Sequence, residues 1–199
     1  GQSPVFDTVQ TMPDETAVIL YTSGTTGSPK GAELTHSNMV MNAVATRDMI
    51  QMNKDDVCLV VLPLFHSFGQ TVLMNTGFCS GATITLLPRF AADAVLGIMQ
   101  RDGVTVFAGV PTMYWGLLSY PDAEKFDLDL IRSKLRIAVS GGSALPVELL
   151  RNFEERFDVP ILEGYGLSET SPVASFNQLG RPRKVGSIGQ PIWLTDMRI

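Results

Sequence analysis

Short apolar runs recur along the chain, and helix-length amphipathic stretches separate most of them. Ala17–Tyr21 (AVILY) reads as a strand, and Val57–Leu62 (VCLVVL), bounded by Asp56 and Pro63, has the continuous apolar pattern of a strand buried on both faces. Thr83–Leu87, Thr105–Ala108, Leu135–Val139 and Pro160–Glu163 repeat the pattern. Between these runs, Thr35–Ile50 reads as a helix with Thr35 or Ser37 as its cap and with Val40, Val44 and the Met41–Ala45–Met49 row as its apolar positions. Further helices are predicted over Gly69–Phe78, over Ala91–Arg101 up to the stop at Asp102–Gly103, and over Pro111–Ser119. Another begins at Pro146, where a missing N–H costs nothing, and carries Leu149, Leu150, Phe153 and Phe157 on one face. Strands alternating with helices predict an α/β fold, a mostly parallel sheet covered by helices. Such sheets bind ligands beyond the carboxyl ends of their strands, and the polar, glycine-rich segments of this chain fall at those ends.

Composition narrows the function classes. The 199 residues carry a net charge of −5 with scattered Lys and Arg, which gives no footprint for nucleic acid. Two cysteines, Cys58 and Cys79, lie in apolar stretches and read as small buried hydrophobes, so a reducing cytoplasm is the expected location. Two histidines, His36 and His66, are too few and too far apart in sequence for a His/Cys zinc site. No apolar run reaches the roughly 20 residues of a membrane span, and no signal peptide is visible; peripheral membrane contact stays open. Residues 1–15 lack periodicity and read as a lead-in. The end, Met197–Arg198–Ile199, reads as the start of a strand, so the chain is expected to be a piece of a longer protein.

The strongest chemical signal is Tyr21-Thr22-Ser23-Gly24-Thr25-Thr26-Gly27-Ser28-Pro29-Lys30-Gly31. Glycines let backbone N–H groups approach an anion, hydroxyls donate further hydrogen bonds, and Lys30 supplies positive charge, so a polyphosphate is the natural guest. Ser28 and Pro29 separate Gly27 from Lys30, so the string is neither a Walker A loop nor a G-x-G-x-x-G turn. A second segment, Glu163-Gly164-Tyr165-Gly166-Leu167-Ser168-Glu169-Thr170, brings glycine backbone to a strand end. Tyr165 there offers a flat face for a nucleobase, and Glu169 offers a hard oxygen ligand suited to Mg²⁺. Two further segments place glycines or a histidine after strands, Ser140-Gly141-Gly142-Ser143-Ala144-Leu145-Pro146 and Pro63-Leu64-Phe65-His66-Ser67-Phe68-Gly69, and a glycine-bearing stretch, Val185-Gly186-Ser187-Ile188-Gly189-Gln190-Pro191, closes the region.

In this order the segments resemble the signatures of the adenylate-forming superfamily: acyl-CoA synthetases, peptide-synthetase adenylation domains and luciferases. The resemblance covers about residues 14–199 and implies that residues 16–199 are the central part of an AMP-binding domain. It implies that Thr22, Ser23, Gly24, Thr25, Thr26, Gly27 and Lys30 hold the ATP phosphates and that Gly141, Gly142 and Ser143 line the adenine pocket. Tyr165, between Gly164 and Gly166, would lie against adenine, with Ser168 near the α-phosphate and Glu169 on Mg²⁺. His66 would orient or gate the carboxylate being activated, which makes Lys30, Glu169 and His66 the candidates closest to the chemistry. Phe68, Met74, Val110 and Met113 are candidates for the acyl pocket. The implied substrates are ATP, a fatty acid and coenzyme A, as in a fatty acid–CoA ligase. An aryl-CoA ligase, a fatty acyl-AMP ligase, an amino-acid adenylation domain and a non-catalytic nucleotide-binding module are the alternatives. Ser168 stands where many members have Thr, which retains the hydroxyl, and Trp193-Leu194-Thr195 stands where a glycine is usual. The family's ribose-binding Asp, its hinge, its C-terminal domain with an adenylation lysine and an N-terminal region have no counterpart here, so little turnover is expected of this chain alone.

Overall fold

The computed structural model describes residues 5, 7–23 and 27–198. In chain order come β1 (Thr16–Thr22), β2 (Lys30–Thr35), α1 (His36–Ile50), β3 (Val57–Val60), α2 (Thr76–Ser80), β4 (Thr83–Leu86), α3 (Ala92–Asp102) and β5 (Val106–Gly109). Then follow α4 (Pro111–Leu118), α5 (Leu128–Lys134), β6 (Ile137–Ser140), α6 (Val147–Phe157), β7 (Ile161–Gly166), β8 (Val173–Phe176) and β9 (Gln190–Pro191). A π-helical stretch, Phe68–Asn75, precedes α2, and a 3₁₀ turn, Ser168–Thr170, follows β7.

The main sheet has the order β4-β3-β5-β6-β7-β8-β9. From β4 through β7 the neighbours are parallel, and β7-β8-β9 are antiparallel. Successive strand residues point to opposite faces, and each face has its own core. Leu59, Phe107, Ala138 and Ile161 pack beneath α3–α6 with Leu96, Leu117, Ile131 and Phe153. Cys58, Val60, Val106, Ile137 and Leu162 pack on the other side with Met49 and Ile50 of α1 and with Val72 and Leu73 of the π-helical stretch. Two-sided burial explains why these strands are continuously apolar in sequence. In the first core, the Tyr114 hydroxyl donates to the Val139 carbonyl at 2.7 Å, and its ring meets Phe107 and Phe153 edge-on at 5.6 and 4.8 Å.

Several expectations are corrected. The first strand does not join the parallel sheet: β1 pairs antiparallel with β2, which the sequence reading did not foresee, in a separate hairpin. Thr35 does cap α1, by accepting from the Asn38 amide at 3.1 Å. The buried face of α1, however, is Met39, Asn42, Ala43, Ala45, Thr46, Met49 and Ile50, whereas Val40 and Met41 are exposed. Two polar residues on the buried stripe shifted the apparent apolar row. Helix α5 and strand β8 are not among the elements read from the sequence. Cys58 is buried and burial pushes its thiol up to about 12, but Cys79 is exposed and accepts from Arg47 at 3.8 Å. Met197 and Arg198 form no strand, and Ile199 lies outside the described residues. Among the described residues no helix is long and apolar enough to cross a membrane.

At the amino end of the sheet, Arg136 donates to both Asp56 carboxylate oxygens at 2.7 and 2.6 Å, and Thr105 adds a bond of 2.6 Å. Arg136 also caps the carbonyls of Ile50 and Gln51, which ties the end of α1 to β3, β5 and β6. Burial disfavours the Asp56 charge most strongly, yet these hydrogen bonds, with one from the Asn53 amide, hold its carboxyl below the ordinary carboxylate value.

Candidate functional site

The last paired residues of β6 and β7 are Ser140 and Glu163. Beyond them the two chains part. β6 turns into the 141–146 loop, and β7 continues through Gly164, Tyr165 and Gly166, paired only with β8. Glycine is a geometric requirement in β7: a Cβ at Gly164 would collide with the Phe176 ring, and one at Gly166 with the Pro172 carbonyl oxygen. On the other wall Gly142 has φ +81, a left-handed conformation that suits glycine, and a Cβ at Gly141 would press on the Phe68 ring at 3.2 Å.

The parting strands leave a cleft of about 170 Å³ at the carboxyl end of the sheet. His66, Gly141, Gly142, Gly164, Tyr165, Gly166 and Ser168, all singled out from sequence, line it together. The loop bearing His66 turns tightly because Gly69, second in the π-helical stretch, packs on the chain just after β3; a Cβ there would lie 2.5 Å from the Pro63 carbonyl oxygen. His66 Nδ1 accepts from the Phe68 amide at 3.1 Å, so in the neutral ring the proton sits on Nε2, which is left to donate. Tyr165 is 43% exposed, an aromatic face half open to the cleft.

Other expected residues are placed differently. Ser143 is exposed and does not line the cleft. Glu169 is exposed in the middle of the Ser168–Thr170 turn, where it borders a second hollow of about 390 Å³ formed with the start of α1 and with Trp193–Asp196. The β1–β2 hairpin lies against this same turn through β2. Thr22 pairs with Lys30 across the hairpin, and its hydroxyl donates to the Lys30 carbonyl at 3.5 Å. Ser23, Gly27 and Lys30 are exposed, and Gly27 has φ +83 with open space around it. Gly24, Thr25 and Thr26 lie outside the described residues. Of the acyl-pocket candidates, Phe68 lines the cleft and Val110 approaches Gly142, while Met74 and Met113 do not line it.

The sequence reading missed Ser140 and Ser67. Both line the cleft, are nearly fully buried, and have hydroxyls without a hydrogen-bond partner among the described residues. For Ser140 the available signal was a serine closing an otherwise apolar buried strand; Ser67, just before the π-helical stretch, had none. Beneath the cleft, burial pushes the Glu163 carboxyl up, against a hydrogen bond of 3.1 Å from the Gly186 amide. That bond fastens the Gly-Ser-Ile-Gly segment to β7.

Known proteins share this fold and much of this sequence. A family model described as AMP-binding enzyme matches residues 2–199. The chain is 41% identical over 185 residues to the long-chain-fatty-acid–CoA ligase of Bacillus subtilis (strain 168), covering 92% of this chain and 32% of that protein. It is 34% identical over 187 residues to a feruloyl-CoA synthase of an Amycolatopsis species, covering 94% of this chain and 37% of that protein. The crystal structure of ATP-bound MatB from Rhodopseudomonas palustris matches with a TM-score of 0.85 at 33% identity, over 96% of this chain and 37% of that one. The chain thus spans about a third of the length of these relatives. It belongs to the AMP-binding enzyme family, the adenylate-forming enzymes that its motifs resemble.

Proposed function

We propose that this chain is the nucleotide-binding part of an AMP-forming acid–thiol ligase that converts a fatty acid to its coenzyme A thioester. The observation that carries the reading is one juxtaposition. Two glycine-bearing strand ends flank a cleft with His66, and a hairpin holding the hydroxyl- and lysine-bearing loop lies against the turn that follows. The 41% identity to a long-chain-fatty-acid–CoA ligase supports the fatty acid as substrate. Both cysteines are free thiols, in keeping with the cytoplasm as its location.

In the first half-reaction a carboxylate oxygen attacks the α-phosphorus of ATP. The bond from that phosphorus to the bridging oxygen breaks, which gives an acyl-adenylate and pyrophosphate. In the second, the coenzyme A sulfur loses its proton and attacks the acyl carbon, and AMP leaves. In this reading the cleft holds adenine against Tyr165 between Gly141–Gly142 and Gly164–Gly166, and Ser168 lies near the α-phosphate. The loop residues Thr22, Ser23, Thr25, Thr26 and Lys30 hold the β- and γ-phosphates and so stabilise the departing pyrophosphate. Holding carboxylate and α-phosphate together, with fixed donors aimed at the spreading charge, lowers the barrier. His66, donating from Nε2, orients the incoming carboxylate.

Among the described residues no three His, Cys, Asp or Glu side chains gather as a metal cage. One exposed carboxylate, Glu169, fits Mg²⁺, which takes one or two protein carboxylates and keeps water and substrate phosphates as its other ligands. Mg²⁺ bound there would supply neutralisation of the phosphate charge.

The test is carboxylate-dependent ATP–pyrophosphate exchange with fatty, aromatic and amino acids, on the protein at the length of its relatives. Exchange driven by fatty acids supports the proposal. Exchange driven only by aromatic or amino acids keeps the chemistry and overturns the substrate. ATP binding without exchange for any acid leaves a nucleotide-binding module.

A further inference from the structure

Asn42 interrupts the buried face of α1 with an amide, and it is 6% exposed. Its Nδ2 donates to the carbonyls of Thr170 at 3.1 Å and Val173 at 2.9 Å, and its Oδ1 accepts from the Val173 amide at 3.2 Å. Both amide hydrogens and an acceptor site are therefore spent on a segment that is remote in sequence. The three bonds bracket Ser171 and Pro172, the exit of the turn that carries Ser168 and Glu169. Ser171 has φ 73, a left-handed conformation that a serine keeps only where its neighbours hold it. On the entry side, the Thr170 hydroxyl accepts from the Leu167 amide at 2.9 Å and donates to the Pro172 carbonyl.

The start of α1 leads to the hairpin of the proposed phosphate loop. Thr35 is both the last residue of β2 and the N-cap of α1, and it exchanges bonds of 3.1 and 3.0 Å with Asn38. One helix is thus fixed at its start to the hairpin and, two turns in, to the Glu169 turn. Asn42 makes no hydrogen bond to the groups proposed to meet the nucleotide; of the cleft lining it bonds only the Val173 backbone.

We propose that Asn42 is a positioning residue: its three hydrogen bonds fix the Ser168–Thr170 turn, and with it Glu169, relative to the hairpin that carries Lys30. The functional consequence rests on the adenylation reading, and the positional one does not. The test substitution is Asn42→Leu, which keeps the volume and removes all three bonds. In the ligand-free protein, amide hydrogen exchange over residues 167–173 is expected to speed up by at least about tenfold, while β5 and β6 stay near wild type. In ATP–pyrophosphate exchange, the Mg²⁺ concentration for half-maximal rate is expected to rise about tenfold, as when a group supporting a metal ligand is lost, with the fatty-acid KM little changed. Faster amide exchange spread evenly over the whole sheet would overturn the proposal. So would an unchanged magnesium dependence in an active variant. Should Asn42→Leu fail to fold, Asn42→Asp, which keeps only the acceptor for the Val173 amide, is read by the same local amide-exchange criterion. If the wild-type protein shows no carboxylate-dependent exchange, the adenylation reading falls, and the amide-exchange pattern alone decides whether Asn42 holds the turn.

Discussion

The parallel part of the sheet and the β1–β2 hairpin are both made of short strands, but they are stabilised in different ways. β5 and β6 are buried along their whole length, between two cores. In the hairpin only Leu34 is buried, and Ile19 and Tyr21 are 51% and 77% exposed. An isolated two-stranded hairpin is marginal in water, so this one depends on α1 and on the turn after β7 for its place. The difference teaches a division of labour. The sheet supplies stability and holds the glycine corners of the cleft, while the hairpin carries the loop proposed to hold phosphate at little stabilising benefit of its own.

Substitutions that separate stability from chemistry can break or sharpen that comparison. Phe153, fully buried and packed on Tyr114 and Phe157, has the largest expected effect: Phe153→Ala should cost about 3–5 kcal/mol in urea unfolding. Asp56→Asn should follow, toward the lower end of the roughly 3–5 kcal/mol lost when a buried pair is broken, because Arg136 is partly exposed. The pH dependence gives its sign. The folded Asp56 carboxyl lies below its unfolded value, so its contribution is fully present above the unfolded value of about 3.9 and is lost as pH falls through the folded value. An acid-unfolding series should therefore show a shallower fall in stability for Asp56→Asn than for wild type. A matching fall in both would remove this pair from the acid response.

Gly166→Ala tests the seam between the two regions. The added methyl meets the Pro172 carbonyl, and the overpacking should cost about 1–3 kcal/mol while nucleotide affinity falls with the distorted β7 end. Normal nucleotide binding in that variant would separate the cleft from the proposed adenine site. Lys30→Ala should be smallest in stability, within about 0.5 kcal/mol, because Lys30 is exposed and makes no ion pair among the described residues. Yet the adenylation rate of the proposed ligase should fall at least about tenfold, the loss of one donor to developing charge. Equal rates for mutant and wild type would remove Lys30 from the chemistry and erase the contrast between hairpin and sheet.

The alternation of apolar runs by itself determined the α/β class and most strands, because two-sided burial writes continuous hydrophobicity into β3, β5 and β6. The glycine-bearing motifs likewise marked both walls of the cleft, since close backbone approach leaves residue choice little freedom at Gly141, Gly164 and Gly166. Pairing was decided only by the tertiary structure. Nothing local in Ala17–Tyr21 distinguishes a strand of the parallel sheet from one half of a hairpin, and β2, with Lys30, Gly31 and Glu33, lacks an apolar run to announce it. The buried face of α1 was hidden for a related reason: Asn42 is buried because backbone groups of Thr170 and Val173 satisfy it. Glu169 shows the same division. Its motif was legible, but its place within the turn, beside α1 and not in the cleft, follows from hydrogen bonds between segments that meet only when the chain folds.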